Sequence, residues 1–130
     1  MKHILTILAV QDMQQARAFY EAAFDWTVKV DVPVYVEYEM PDGKHIGLYE
    51  RDSFGENTGA VPRAVADGEL TGTELYFHSD HLEADLERVR NAGGRLLSDL
   101  APRDWGDEAA YFADPDGNLI VVARSLVPRG

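Results

Sequence analysis

Two hydrophobic periods alternate along the chain. Met13, Ala16, Phe19, Tyr20, Ala23 and Phe24 recur every three or four residues, as do Leu82, Leu86, Val89 and Ala92. That spacing lines one face of a helix and predicts helices over 12–24 and 81–92. Around them lie short runs that alternate or are wholly apolar, the signature of half-buried and buried strands. These predict strands at 3–10, 26–30, 34–40 and 45–51, then at 73–78, 95–99, 108–113 and 118–124. Asp12 and Asp80 stand where a carboxylate would cap a helix start, and Gly93-Gly94 where a helix would stop.

The order of elements repeats. Strand, acidic junction and amphipathic helix are followed by three short strands, once in each half, and each half carries the same turn. Pro41-Asp42-Gly43 precedes KHIGLYER, and Pro115-Asp116-Gly117 precedes NLIVVAR. Gly in such a turn supplies the positive φ that a tight hairpin needs. The expected fold class is α+β: two βαβββ modules, 1–55 and 71–125, joined by a Gly/Asn/Pro-containing linker at 56–70. Two such mixed sheets, with helices on the outer face, could curve to enclose a pocket.

Composition narrows the function. The chain has 130 residues, a net charge of −11 and no cysteine. Cys-ligated zinc, thiolate chemistry and disulfides are therefore out, and the negative charge argues against nucleic acid. No apolar run approaches the ~18 residues of a membrane helix, and the N-terminus lacks the pattern of a secretory signal, so a cytoplasmic location and no membrane partner are expected. Residues 126–130 (LVPRG) resemble the protease-cleavage linker of expression vectors and are left out of fold reasoning. No Ser-His-Asp spacing and no phosphate-binding Gly loop can be read.

AVQDMQQARAFYEAAFDW at the front and AAYFADPDGNLIVVA at the back, taken with the doubled plan, resemble the vicinal oxygen chelate superfamily. That group contains glyoxalases, bleomycin resistance proteins and extradiol dioxygenases. The resemblance implies a homodimer and, in catalytic members, a divalent metal. His, Glu or Gln ligands would come from the first and last strands of each module. Carried onto this sequence, those four positions fall on Leu5, Gly47, Glu74 and Val121. Only Glu74 can coordinate, and one carboxylate cannot hold a divalent ion against water.

The resulting expectation is a metal-independent small-molecule-binding protein with its ligand held between the modules, no cofactor, and a ligand that is aromatic or cationic. Its site would comprise Leu5, Ile7, Gly47, Tyr49, Glu74, Tyr76, Trp105, Tyr111 and Val121, with Glu74 as the one candidate catalytic acid or base. His45 reads as a solvent-facing hairpin residue, and Asp104–Glu108 as a solvated loop. The competing reading is a metal-dependent glyoxalase-like lyase/isomerase or dioxygenase with a shifted site around His3, Glu74 and His78, and Glu50 as a fourth ligand. In a third, the pocket is filled and the protein acts through protein partners.

Overall fold

Strand β1 (Leu5–Val10) leads to helix α1 (Met13–Ala23), and β2 (Thr27–Val32), β3 (Tyr35–Glu39) and β4 (His45–Glu50) follow. After a short helix α2 (Arg51–Glu56), the plan recurs as β5 (Glu74–His78), α3 (Leu82–Asn91), β6 (Arg95–Pro102), β7 (Asp107–Ala113) and β8 (Leu119–Ser125). The structure is a computed structural model and describes residues 1–127. Of the LVPRG tail, residues 128–130 lie outside the described residues. The chain divides into two units, Met1–Ala64 and Val65 onward, at a point inside the expected linker.

The two units have one topology. Their sheets run β1-β4-β3-β2 and β5-β8-β7-β6. The first and last strands of each module pair in parallel, and the other neighbours are antiparallel. Both sheets are therefore mixed, as the α+β expectation holds. Register assigns the faces, because residues directly opposite share one. In the first sheet Leu8, Leu48 and Val36 form one row, and Ile46 and Tyr38 face each other in the next. All five are buried, on the side that receives Ala16, Phe19, Tyr20 and Ala23 of α1. In the second sheet the rows Ala110–Val122 and Phe112–Ile120 are buried likewise, with Leu82 and Val89 of α3.

Local chemistry sets the ends. Asp12 caps α1 by accepting from Gln15 N at 3.0 Å, as its position predicts. Asp80 does not cap α3. The N-cap is His81, whose backbone N–H donates to Ser79 Oγ while Ser79 Oγ donates to Asp85 Oδ2. Beyond α1, the rings of Phe24 and Trp26 stack at 4.2 Å, with Tyr20 stacked on Trp26 at 5.7 Å. The FDW sequence thus turns the chain from helix to strand over a shared aromatic surface.

The strand expected at 45–51 ends one residue early, because Arg51 begins α2. Arg51 donates to Ala9 O and Pro62 O, which fastens the segment after β4 back onto β1. Both PDG turns form as expected, with Gly43 at φ 86° and Gly117 at φ 85°. The second is braced more heavily. Asp114 Oδ1 accepts from Asp116 N and Asn118 N, and Oδ2 accepts from Asn118 Nδ2. Thr71 Oγ1 closes the network on Asn118 Oδ1 at 2.7 Å. The DPDGN sequence is therefore a structural lock, its carboxylate consumed by donors that burial would otherwise leave unpaired.

Candidate functional site

The sheet faces turned away from α1 and α3 carry the family's ligand positions. In the first sheet the rows are Leu5–His45–Glu39, Ile7–Gly47–Glu37 and Ala9–Tyr49–Tyr35. In the second they are Glu74–Leu119–Ala113, Tyr76–Val121–Tyr111 and His78–Ala123–Ala109. Each row of one module has its counterpart in the other, so Leu5 matches Glu74 and Gly47 matches Val121.

Gly47 does not open space for a ligand. A Cβ built there would lie 2.5 Å from Tyr35 Oη and 2.7 Å from its ring. The Tyr35 phenol occupies the volume that a coordinating side chain would fill, held there by its hydrogen bond to Glu37 Oε1 at 2.5 Å. Tyr49 packs edge-on against Tyr35, with ring centroids 5.1 Å apart. His45, expected to face solvent, is instead half-buried, with Nδ1 2.5 Å from Glu37 Oε2 and Nε2 3.5 Å from Glu39 Oε2. The first bond dominates the titration of both partners: it raises the pKa of His45 and lowers that of Glu37.

These opposed shifts predict a pH window of maximal stability. The raised His45 contributes stability that is full below its ordinary value of 6.5 and is lost as pH climbs through the folded value. The lowered Glu37 contributes above its ordinary 4.5 and loses that contribution as pH falls through its folded value. Thermal unfolding should therefore show the pair's contribution greatest between about pH 5 and 6.5. His45→Gln should flatten the alkaline side of that profile; an unchanged profile would show that the pair is energetically silent.

Val121 is fully buried with Ala109 and Ala123 and packs against Tyr111. Tyr111 is not an open ring, since the Arg103 guanidinium lies 5.0 Å above it. Leu5 and Ile7 are half-buried, and Glu74 is exposed at the start of β5, which does not supply the desolvated pocket that a general base there would need.

Three members of the shifted metal set have contacts within their own units. His3 bonds Thr6 Oγ1, His78 bonds Asp107, and Glu50 sits at the N-cap of α2. Among the described residues no group of three or more His, Asp or Glu is arranged to hold a metal ion. The donor chemistry at all four family positions thus fails to fit a divalent cation: one exposed carboxylate, two hydrocarbons, and a glycine roofed by a phenol.

The second module brings together Tyr76, His78, Trp105 and Asp107. The sequence places Asp107 in a solvated loop, but β7 begins at Asp107, and the residue is 8% exposed. Its Oδ2 accepts from Tyr76 Oη at 2.5 Å and lies 2.8 Å from His78 Nε2. Trp105 Nε1 donates to Tyr76 Oη at 2.8 Å. The hairpin Arg103–Asp107 presents the indole: Arg103 N donates to Asp107 O, and Gly106 takes φ 95°. Desolvation first, then the bond to Asp107, raises the Tyr76 phenol above its ordinary value of 10.0. Period-two alternation back from Tyr111 and Ala109 puts Asp107 on this face; a strand begun at 108 leaves it out.

Elsewhere in this unit a cleft of about 520 Å³ lies between residues 65–69 and the Asp114–Gly117 turn. Asp114, which lines it, has both carboxylate oxygens engaged within the turn.

Two βαβββ repeats with this strand order, and paired first and last strands facing away from the helices, define the vicinal oxygen chelate class. The chain belongs to the glyoxalase-like domain family, whose pattern matches residues 3–127. An uncharacterized protein of Mycobacterium bovis is 29% identical over 120 residues, covering 85% of this chain and 75% of its own length. Among solved structures, a glyoxalase-related enzyme from Fulvimarina pelagi aligns with a TM-score of 0.84 at 23% identity, covering 99% of this chain and 92% of its own. A lactoylglutathione lyase from Agrobacterium tumefaciens aligns at 0.71 and 20%, with 95% and 92% covered. At these identities the solved structures speak for the fold alone. Among the described residues no helix is long and apolar enough to cross a membrane.

Proposed function

We propose that this glyoxalase-like domain works as a metal-independent small-molecule-binding protein. The observation that carries the reading is the Tyr35 phenol lying over Gly47, its oxygen 2.5 Å from where a side chain would begin. A site in use for coordination needs a donor there, and here the room for one is spent on packing. The absence of donors at Leu5 and Val121 supports the same reading, while Tyr76 and Trp105 offer exposed aromatic surface of the kind that binds flat organic molecules. A cytoplasmic homodimer belongs to the proposal on the resemblance alone.

Thermal shift tests it. Ni²⁺, Zn²⁺, Mn²⁺ and Fe²⁺ at tenfold molar excess should leave the unfolding midpoint in place, whereas a library of aromatic small molecules in chelating buffer should contain hits that raise it. Metal-dependent stabilisation, with small molecules binding only once metal is present, would count against the proposal.

A further inference from the structure

The cluster of Tyr76, His78, Trp105 and Asp107 specifies a ligand class, an inference that rests on the small-molecule reading above. Its hydrogen bonds run inward. The indole N–H is spent on Tyr76 Oη, and the phenol O–H on Asp107 Oδ2. A carboxylate can only accept, so the His78 Nε2–H is directed at the same oxygen. The strongest donors of the face are thus consumed within it, and a ligand carboxylate or phosphate finds none of them free.

What remains outward is of the other sign. The Tyr76 side chain is partly exposed and Trp105 is 55% exposed, so both present π surface, whose quadrupole is negative at its face. Behind them stands the Asp107 carboxylate, with 12% of its side chain reaching solvent. The nearest arginine of the loop, Arg103, is committed to the Tyr111 ring and to the Ala109 and Asp99 carbonyls. That pairing shows a planar cation already lying on an aromatic ring of the same sheet.

We propose that this face binds a flat organic cation, such as a protonated or quaternised heteroaromatic amine, with the ring on Trp105 and Tyr76 and the charge toward Asp107. Cation–π attraction and a partly desolvated carboxylate both favour the cation over a neutral ring of the same shape. The net charge of −11 would steer such ligands in and repel anions.

Calorimetry on the metal-free protein at pH 7.5 tests this with three probes: N-methylquinolinium, neutral quinoline and 1-naphthoate. The expected order is cation, then neutral ring, then anion, with N-methylquinolinium about tenfold tighter than quinoline. The Trp105 indole N–H resonance should move on binding. Asp107→Asn should shrink the cation-to-neutral ratio below about threefold, and Trp105→Ala should weaken both ligands. The charge series on the unaltered protein decides the matter even if Asp107→Asn folds poorly. Equal affinity for cation and neutral ring, or a ratio untouched by Asp107→Asn, overturns the ligand class and leaves the small-molecule reading standing. Failure of every probe, together with an empty small-molecule screen, overturns both.

Discussion

Val121→Glu, which installs the carboxylate that metal-dependent relatives use at this position, is expected to cost at least about 4 kcal/mol of stability at neutral pH. Val121 is fully buried among Ala109, Ala123 and Tyr111; the two alanines offer no side-chain donor, and the Arg103 guanidinium beside the Tyr111 ring is already bonded to the Ala109 and Asp99 carbonyls. Glu74, the nearest family position with a donor, is exposed and one row away, since Val121 faces Tyr76 across the ladder. The new carboxyl would have to stay protonated or open the structure. Its folded pKa would rise, so the stability that its neutral form allows is present at low pH and lost as pH rises through the folded value. Equilibrium unfolding of the variant should therefore show a deficit smaller at pH 4.5 than at pH 7.5, and Zn²⁺ or Ni²⁺ should not close it. Metal-dependent recovery of the wild-type midpoint would mean that the remaining ligands are closer to hand than the register places them.

Gly47→Ala is expected to cost about 2 kcal/mol, a large effect for one added methyl group. The new Cβ meets three atoms of the Tyr35 phenol within 2.9 Å, and the ring cannot withdraw without giving up its bond to Glu37 and its contact with Tyr49. Tyr35→Ala removes the obstruction at a cost of its own. In the double variant the two losses should fall short of their sum by more than about 1 kcal/mol, because only one of them is then felt. Additive losses would place the strain at Gly47 in its backbone and free the space above it. The cycle thus reads whether Tyr35 is what occupies the metal-side volume.

Much of this architecture is written in hydrophobic period. The α1 face of Ala16, Phe19, Tyr20 and Ala23 is buried as its spacing requires. The doubled PDG turn, a local feature, marks the doubled module correctly. The cluster around Asp107 was less legible. Asp104, Trp105, Gly106 and Asp107 read as a polar loop, and only strand pairing of Asp107 with Ser125 turns its side chain onto the Tyr76 face. A shift of one residue in a strand boundary moves a carboxylate from solvent to a site. His45 departs from its expected exposure for a related reason: its partner Glu37 is eight residues away and reaches it only through the β3–β4 ladder. Tyr35 over Gly47 could not be foreseen at all, since the sequence showed that a side chain was missing but not which neighbour had moved into its place.

Elemental analysis of the protein purified without chelator, then dialysed against a trace mixture of Ni²⁺, Zn²⁺, Mn²⁺ and Fe²⁺, bears most directly on the central claim that the family's metal positions here are built of packing. Well under one tenth of an ion per chain is expected for every metal, in wild type and Glu74→Gln alike. Close to one ion per chain, abolished by Glu74→Gln, would contradict it.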